Sequence, residues 1–468
     1  MAKRALDVIV FGATGDTGSA ACRFLYHYGR KVQIQKWAPA ARNLKRLQAN
    51  VLDPLLQHSA GDDGILPSKP IYADANDLES LICMCKQARV VMSFTGPYEL
   101  FGEKIIAACI ATGTHYVDVT GEVPWVSSMM KKYGNAAQQS GACFVSFCGY
   151  DSVPMDMSAF LLKSALEEQG DTLDIVETYA TNRSKGGGAI PTGTVNTVLG
   201  AVAQLRSKFY RALTFGIFHS DKISVTPAAE ENGIHLGGSR LLTPEAYRAV
   251  KRDLAANRWP YRSIVAPGKI WSSPHFMGTI NTNIVHATAS KDNKFFHYRE
   301  RELSGGKKCM ERADGSLTSF AKTLVTPAIL FMLSPLALTP FFDTVVWAFV
   351  NRINGKKSNL NSDDPGLNQI QRLMNAGETT GFVGVYGYGQ AESSQKKVVS
   401  SFECDFDAGI GCTVLTCCAM AGALAQDCTS ISPGFQTSVN AIGGETLRKA
   451  LARTGVRMGV SVLGQSRL

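Results

Sequence analysis

The sequence of 468 residues contains no CxxC pair, although it has twelve cysteines. Cys83 and Cys85 are separated by one residue, and Cys417 and Cys418 are adjacent, so neither pair has the spacing of a zinc site or a disulfide framework. Most of the cysteines lie in apolar runs such as 146–148, where cysteine acts as a small hydrophobic residue. The cysteine pattern therefore indicates a reducing, intracellular compartment.

Long runs of one charge are also missing. The net charge is +9, which would suit anionic partners such as nucleotides, acyl carriers or membrane lipid. The basic residues are scattered and form no stripe for nucleic acid, so nucleic-acid binding is not expected. The motifs HExxH and GxSxG and any cluster of histidines are absent as well, which argues against a hydrolase and against a bound metal.

A secretory signal is not expected, because residues 1–7 lead straight into the first apolar run. The last three residues are Ser466-Arg467-Leu468, a basic variant of the Ser-Lys-Leu peroxisomal address. This ending predicts an import receptor as a partner and a peroxisome-like location, a peroxisome or a glycosome where the host has one. The alternatives are a chance match and a cytoplasmic protein.

Apolar runs typical of buried strands alternate with helical segments over the first 150 residues. The run at 6–12 is short and bounded by glycine, and residues 19–29 read as a helix closed by Gly29. Further strands are predicted within 32–42, 71–74, 90–98, 115–122 and 143–154, with helices after 74 and over 103–113. This alternation predicts an α/β fold, a Rossmann-type doubly wound parallel sheet over residues 1–150.

The alternation fades after residue 155, which predicts a second, α+β domain over 151–400. Residues 173–181 and 281–290 read as strands of a different sheet, and 193–214 reads as helical. Residues 383–390 and 398–407 are typical of an antiparallel pair. Residues 411–426 read as an apolar helix and 444–453 as an amphipathic one.

An uncharged stretch lies at 323–342 and is interrupted by Pro327, Pro335 and Pro340. Its length could span a bilayer, but proline at this spacing breaks a helix into short pieces. Three interpretations stay open: a hydrophobic surface that meets a membrane or lipid droplet, a buried hairpin, and a true span.

The segment 12–18 carries the clearest chemistry, because it follows a strand and opens a helix. In the dinucleotide fingerprint, Gly12 permits the tight turn, Gly15 lets the backbone approach the pyrophosphate, and Gly18 lets the helix pack on the strand. The helix N-terminus then offers N–H groups to the anion. Cofactor binding is predicted for the whole loop: Gly12, Ala13, Thr14, Gly15, Asp16, Thr17 and Gly18. Asp16 is expected to be an exposed loop residue, since its charge does not help to hold phosphate.

The end of the second strand indicates NADP(H) rather than NAD. An NAD site usually has an acidic residue there, whereas this strand ends in Arg42, with Lys45 and Arg46 behind it. A guanidinium at this position would pair with a 2′-phosphate; the alternative is a solvated, basic helix start. Asp74, at the end of the third strand, is predicted to contact adenine, and the turn 95–97 to lie near the nicotinamide ribose. That turn is Thr95, Gly96 and Pro97.

Several longer motifs resemble the saccharopine dehydrogenase-like oxidoreductases: GATGDTG at 12–18, WAPAARNLKRL at 37–47, the segment 94–122 and GYDSVPMD at 149–156. GTVNTV at 193–198, PHFMGTINTNIVHATA at 274–289 and GIGCTVLTCCAMAGAL at 409–424 are similar to the branch called trans-acting enoyl reductases. The resemblance implies an N-terminal NADP-binding domain, a C-terminal segment over 401–468 that returns to it, and redox work on a lipid intermediate.

The resemblance also carries over site residues. It places the 2′-phosphate arginine on Arg42 and the nicotinamide-side turn on Gly96, Pro97 and Tyr98. Gly121-Glu122 and the segment 150–152 would face the active cleft, which makes Tyr98, Glu122, Tyr150 and Asp151 the catalytic candidates; the alternative is that they form capping turns at strand ends. The chain departs from the branch at Ala41 and at 363–366, and the second departure puts the acceptor-side loop in doubt.

These observations predict an NADP(H)-dependent oxidoreductase that transfers hydride to an acyl or related lipid substrate. The rival is an NADP-binding scaffold or redox sensor at a lipid surface, without catalysis, and a third alternative is a true saccharopine dehydrogenase. The apolar stretch and the large second domain make a homodimer the expected assembly.

Overall fold

The computed structural model describes two long parts of the chain, 4–57 and 64–184, and two more near its end, 378–426 and 431–463. Between them it describes shorter pieces: 235–236, 239–240, 244–256, 261–262, 265–266, 271–275, 277–302, 339, 344, 346 and 374. Four expectations lie outside the described residues: the helix at 193–214, the loop at 363–366, the C-terminal tripeptide and, apart from residue 339, the apolar stretch at 323–342.

Strands and helices alternate strictly in the first unit. The strands are β1 (Leu6–Phe11), β2 (Trp37–Ala41), β3 (Ile71–Tyr72), β4 (Ala88–Ser93), β5 (His115–Asp118) and β6 (Cys143–Val145). The helices are α1 (Asp16–Tyr28), α2 (Leu44–Leu47), α3 (Asp53–Gln57), α4 (Leu78–Cys85), α5 (Tyr98–Thr112) and α6 (Val123–Gln139), with a π-helical turn at Gln48–Leu52.

The first sheet is entirely parallel in its described strands. Its order is β6-β5-β4-β1-β2-β3, and a late strand, β15 (Gly434–Gln436), pairs parallel with β6 at the edge. Both faces are covered: Val8 and Val10 of β1 point into one apolar layer, and Ile9 and Phe11 into the other. This is why the strand is apolar at every one of these positions instead of alternating with polar residues. The Rossmann-type sheet predicted from the sequence is confirmed.

The second unit begins with α7 (Val153–Glu167). Its strands and helices up to residue 302 are β7 (Leu173–Ser184), β8 (His235–Leu236), β9 (Ser239–Arg240), α8 (Pro244–Ala256), β10 (Tyr261–Arg262), β11 (Trp271–Pro274), α9 (Gly278–Ala289) and β12 (His297–Glu302). From residue 378 onward follow β13 (Gly381–Ala391), β14 (Lys397–Cys404), a π-helical turn (Ala408–Cys412), α10 (Thr413–Ala425), then β15, α11 (Ser438–Ile442), α12 (Gly444–Arg453) and β16 (Arg457–Val462).

The second sheet is mixed, with the order β10-β11-β12-β7-β13-β14-β16 among the described strands. Among these described strands, only β12 and β7 pair in parallel, and β13 and β14 form the predicted antiparallel pair. One face of this sheet packs on α7, which also contacts α9. The second α+β unit predicted from the sequence is therefore confirmed.

The strand predicted at 281–290 is wrong, because these residues form most of α9. Their β-branched residues and alternating polarity resemble a strand, but tertiary packing decides the structure. Ile284 and Val285 pack into different apolar clusters. His286, also buried, donates from Nε2 to Asp253 Oδ2 of α8 at 2.8 Å. On a strand, Ile284 and His286 would share one face. In a helix, these consecutive side chains point in different directions and reach different neighbours.

The C-terminal part of the chain contributes to both sheets. Helix α10 is buried along its whole length and lies against β1, β4 and β5 of the first sheet, whereas β16 pairs with β14 of the second. Among the described residues, one helical segment is long and apolar enough to cross a membrane, Ala408–Ala425, and 83% of it is buried inside the protein. It contains α10, so its hydrophobicity is that of a core helix.

Candidate functional site

The glycine-rich loop after β1 lies where the strand order reverses, between β1 and β4. Gly12 has φ +82°, and a Cβ there would lie 2.6 Å from Thr95 Oγ1 in the turn after β4. A Cβ on Gly18 would lie 2.2 Å from the carbonyl oxygen of Gly12, so the helix packs directly on the loop. Gly15 is exposed. The loop thus has the geometry that a dinucleotide requires, with its open side at Gly15.

Helix α1 begins directly behind this loop. Its N-cap is Gly15, and no side chain caps the helix there, which leaves its first turn open to an anionic ligand. Asp16 is the first residue of the helix, so the expectation of an exposed loop residue is corrected: it is partly buried and helical, because the turn closes one residue earlier. Its carboxylate interacts favourably with the helix dipole and would not contribute to binding phosphate.

Arg42 follows β2 directly and is exposed at the same edge of the sheet. Asn43 behind it caps α2, its side chain accepting from Arg46 N at 2.9 Å. Arg42 is therefore the last residue before a fixed helix start, in position for a phosphate beside β2. The carboxylate of Asp74 accepts from Asn76 N at 2.9 Å and so closes the turn after β3. Its contact with adenine stays a prediction.

The turn after β4 carries Thr95, Gly96 and Pro97, with a cis peptide bond between the last two. Thr95 Oγ1 is buried and forms no hydrogen bond within the described residues. It faces the glycine-rich loop across the point where β1 and β4 diverge. A buried hydroxyl without a partner at a switch point fits a ligand group that supplies the missing bond.

Two of the four catalytic candidates have structural contacts. The carboxylate of Glu122 accepts from Tyr98 N at 3.0 Å and from Glu99 N at 2.8 Å, and so caps the N-terminus of α5. The hydroxyl of Tyr98 donates to the carbonyl oxygen of Ser93 at 2.9 Å, and its ring packs against Trp125. Burial raises the pKa of Tyr98 well above its ordinary value. These contacts are those of the capping turns weighed in the sequence analysis; a catalytic role for either residue stays a prediction.

Tyr150 and Asp151 lie between β6 and α7, at the same edge. Tyr150 N donates to Thr413 Oγ1 at 3.2 Å, which fixes the segment to α10. The Tyr150 side chain is buried, and burial raises the pKa of its hydroxyl well above the ordinary value, so the group is protonated at neutral pH. Burial also raises the pKa of Asp151 to about 6, while the charge of His275 lowers it.

A chain of buried hydrogen bonds continues from this segment into the second sheet. Ser152 Oγ donates to Asn281 Oδ1 at 3.0 Å, and Asn281 Nδ2 donates to Glu300 Oε1 at 2.9 Å. His275 Nδ1 lies 2.5 Å from the same Glu300 oxygen, and the Tyr298 hydroxyl donates to the other one at 2.9 Å. We call these five residues the Glu300 network.

The Glu300 network places a charged pair beside Asp151. Burial lowers the pKa of His275, but its hydrogen bond to Glu300 and the charge of Glu300 outweigh burial, so the pKa is raised. The neighbouring carboxylate therefore favours the protonated form of the imidazole. This pair, with the partly exposed Asp151 beside it at the carboxyl ends of the strands, is a candidate for proton transfer.

Sequence reasoning missed His275, Asn281 and Glu300 as site residues. The first two lie in the motif at 274–289 that carries the family resemblance, so the signal was present without a role attached to it. Glu300 lies on β12 among alternating charged residues, and nothing in its local pattern separates it from a solvent-facing glutamate. Only the pairing of β12 with β7 and the approach of α9 show that it is fully buried.

Comparison with known proteins gives two similar sequences and one similar solved structure. A Caenorhabditis elegans lipid droplet localized protein is 36% identical over 157 residues, which is 34% of this chain and 36% of that protein. The trans-acting enoyl reductase of Mycobacterium tuberculosis is 28% identical over 326 residues, 64% of this chain and 75% of that one. The solved saccharopine dehydrogenase (L-Glu forming) of Saccharomyces cerevisiae covers 98% of this chain and 99% of its own, with a TM-score of 0.49 at 11% identity.

The family described as the saccharopine dehydrogenase NADP binding domain matches residues 8–145. The match contains the glycine-rich loop, Arg42 and the turn at 95–97, and it confirms NADP(H) as the cofactor. It ends before the Glu300 network, and the similarity to the nematode protein spans only about a third of that protein's length. Residues 8–145 thus resemble the NADP-binding domain of the saccharopine dehydrogenases, and the resemblance of the chain to the trans-acting enoyl reductases is confirmed.

Proposed function

We propose that this protein is an NADP(H)-dependent reductase that acts on an acyl or related lipid substrate. The observation that carries the proposal is the shared edge of the first sheet. The open glycine-rich loop and Arg42 lie on one side of it, and Asp151 and the Glu300 network lie on the other. A cofactor held by the first group brings its nicotinamide end toward the second. The acyl substrate is supported by the enoyl reductase relative.

Each part of the edge has its own task in this proposal. The first turn of α1 binds the pyrophosphate and Arg42 the 2′-phosphate, while Thr95 offers its hydroxyl on the nicotinamide side. When bound, NADPH supplies the hydride for the β-carbon of an enoyl group. The proton that completes the reduction comes from this chain, from Asp151 or from the Tyr150 hydroxyl, and His275 positions and tunes Asp151.

The first test is a binding titration with NADPH and NADH, on the wild type and on Arg42→Ala. We expect the wild type to prefer NADPH, and the variant to bind NADPH about 10- to 100-fold more weakly with NADH unchanged, the range expected for a charged hydrogen bond. Arg46→Ala on α2 is the control and should change neither affinity. Equal affinity of the wild type for both cofactors would remove the basis of the proposal.

Turnover is tested with 2-enoyl thioesters of pantetheine and NADPH. Asp151→Asn and Tyr150→Phe separate the two proton sources, since each removes one acid and keeps the shape of the side chain. The substitution that removes the true proton donor should lower kcat by about 10²- to 10⁴-fold, with little change in NADPH affinity. Cofactor binding without turnover of any enoyl or keto lipid would instead favour the scaffold or redox sensor.

We also propose that the protein associates with lipid surfaces, because one relative is a lipid droplet localized protein. Flotation with triolein droplets coated in phosphatidylcholine tests this directly. Recovery of the protein in the floating layer supports it, and recovery only in the soluble fraction contradicts it. A fluorescent reporter ending in the last twelve residues separately tests the peroxisome-like address; diffuse cytosolic signal would reject it.

A further inference from the structure

A cavity of about 260 Å³ lies between α7, α9 and the turn that joins α11 to α12. This volume is just below the usual range of small-molecule pockets, about 300–1,000 Å³, so the cavity suits a compact molecule. None of the described residues that line it belongs to the glycine-rich loop, the turn at 95–97 or the Glu300 network. We call it the α7–α9 cavity. Its apolar wall consists of Ala159, Phe160, Val285, Ala289, Phe296 and Val439.

Most charged groups on the wall of this cavity are paired with one another. Lys163 Nζ lies 2.7 Å from Asp292 Oδ2 and 3.2 Å from Glu167 Oε1. Lys291 lines the cavity from an exposed position, and Asp156 lines it from a buried one. The wall thus has three carboxyl groups and two ammonium groups, a balance that favours a cationic occupant over an anionic one. The other polar side chains on the wall are those of Ser164, Thr288 and Asn440.

Asp156 is the lining residue whose hydrogen bonds are incomplete. The residue is only 1% exposed. Its Oδ2 accepts from Thr288 Oγ1 at 3.0 Å, whereas Oδ1 has no hydrogen-bond partner among the described residues. The nearby main-chain N–H of Val439 lowers the pKa of the carboxyl, but burial outweighs it and raises the pKa to about 7. A buried acceptor without a partner, on the wall of a cavity, fits a ligand that supplies the donor.

Asn440 provides a second acceptor next to the same threonine. Its Nδ2 donates to the main-chain carbonyl oxygen of Thr288 at 3.2 Å, which fixes the orientation of the amide. The amide oxygen is left as an acceptor on the cavity wall. A carboxylate and an amide oxygen that flank one residue of α9 match an ammonium group, which has several N–H donors and no acceptor.

A metal ion would suit this cavity poorly. Within the part of the chain that the structure describes, no group of three or more His, Cys, Asp or Glu side chains could hold one. Hard cations take about six oxygen ligands, whereas much of this wall is aliphatic and aromatic. Such a wall packs against hydrocarbon. The occupant that matches the whole cavity therefore combines a positively charged donor with a compact apolar body.

From these observations we propose that the α7–α9 cavity is a binding site for a small organic amine in its protonated form. The ammonium group donates to Asp156 and Asn440, and the hydrocarbon part packs against Phe160 and Val285. The amine is a ligand of this cavity and takes no part in the proposed reduction. The inference therefore does not depend on the proposed function.

Calorimetric titration of the full-length protein at pH 8 tests the proposal with three probes: hexylammonium, hexan-1-ol and hexanoate. The probes share one hydrocarbon chain and differ in the charge and donors at its end. We expect hexylammonium to bind at least about 10-fold more tightly than hexan-1-ol, because its bond to the carboxylate is charged on both sides. Hexanoate should not bind. Equal affinities for hexylammonium and hexan-1-ol, or no binding of hexylammonium, would overturn the proposal.

Asp156→Asn tests the contact itself, because it removes the charge and keeps the shape of the side chain. Binding of hexylammonium should weaken about 10- to 100-fold, the range expected for a charged hydrogen bond, with hexan-1-ol within about twofold of wild type. Asp292→Asn is the matched control: it makes the same change on the same wall, at a side chain that is 52% exposed and bonded to Lys163. It should keep hexylammonium affinity within about twofold. Unchanged binding by Asp156→Asn would contradict the proposal.

The pH dependence gives a second readout on the same proteins. Asp156 is ionised above about pH 7, so the wild type should bind hexylammonium more weakly at pH 5 than at pH 8. Asp156→Asn should lose this dependence. The variant thereby separates the titration of Asp156 from that of the other charged groups on the wall, which are Lys163, Glu167, Lys291 and Asp292. The same pH dependence in wild type and variant would place the amine elsewhere on the protein.

Discussion

The two sheets of this protein differ in polarity and in the kind of functional group that each contributes. The first sheet is parallel and apolar on both faces, and its functional groups are loops and helix starts at a single edge. The second sheet is mixed and contains a fully buried charged pair, Glu300 with His275, together with Asn281 and Tyr298. The first region binds by backbone shape, whereas the second holds charge in place. Backbone shape leaves a sequence motif; a buried charge pair leaves almost none.

The largest expected effect is in the second region. Glu300→Ala removes the buried carboxylate that pairs with His275 and accepts from Asn281 and Tyr298, and it should lower the free energy of unfolding by about 3–5 kcal/mol. Urea unfolding measures this loss. Glu302→Ala, a partly buried position two residues along the same strand, is the control and should cost less than about 1 kcal/mol. Equal losses in the two variants would mean that the Glu300 network has no special role.

The next prediction concerns Asp156, on the helix that packs against the second sheet. Burial raises the pKa of its carboxyl from 3.8 to about 7, while Thr288 Oγ1 donates to it at 3.0 Å. The folded state thus binds the proton more tightly than the unfolded state, so this group lowers stability as pH rises from about 4 to 7 and by a constant amount above that.

Asp156→Asn keeps an acceptor for Thr288 and removes the charge. It should stabilise the protein by about 4 kcal/mol at pH 8 and by about 2 kcal/mol at pH 5. Urea unfolding at both pH values measures the difference. A gain that is the same at both pH values would show that the effect does not come from the charge.

The glycine-rich loop offers the matching test in the first region. Gly18→Ala brings a Cβ against the Gly12 carbonyl, so it should lower stability by about 1–3 kcal/mol and weaken NADPH binding as well. At Gly15, an added Cβ would meet only the Gly12 carbonyl oxygen, at 3.4 Å. Gly15→Ala should therefore weaken NADPH binding with little loss of stability. Normal binding by the Gly15 variant would show that the open side of the loop does not meet the cofactor.

The smallest effect is expected at Glu122. Glu122→Ala removes the cap of α5 and should lower stability by about 1 kcal/mol. Glu122→Gln keeps an oxygen acceptor and should recover part of that loss. Thermal unfolding and enoyl turnover, measured on both variants, separate the two roles of this residue. If the glutamine variant is stable but inactive, Glu122 acts as an acid and not only as a cap.

The sequence predicted the first sheet well for a physical reason. A parallel strand buried on both faces is a continuous apolar run, and the turn that follows contains glycine. Both features can therefore be recognised in the amino-acid sequence. The sequence of α9 resembles a strand because many of its side chains are β-branched, whereas its helical form depends on packing against α7 and α8. The Glu300 network was invisible because its residues come from separate segments that only the folded sheet brings together.

The catalytic candidates show the same limit in finer detail. Tyr98 and Glu122 were selected by their place at strand ends, and the structure gives both of them hydrogen bonds to the main chain. Asp151 was selected by the same rule, yet it lies beside a charged pair. Position along the chain predicts which residues reach the edge of a sheet. It does not predict which of them already form structural hydrogen bonds there, because those bonds depend on neighbours that are distant in sequence.

The interleaving of the C-terminal part of the chain with both sheets has a consequence for biosynthesis. During translation, the first 150 residues leave the ribosome long before α10 and β15, yet α10 covers the face of their sheet. One apolar face of the nascent cofactor domain therefore stays exposed until residues 413–436 have been synthesised. We expect this interval to be when the protein depends most on chaperones, and folding and cofactor capture to be complete only after synthesis.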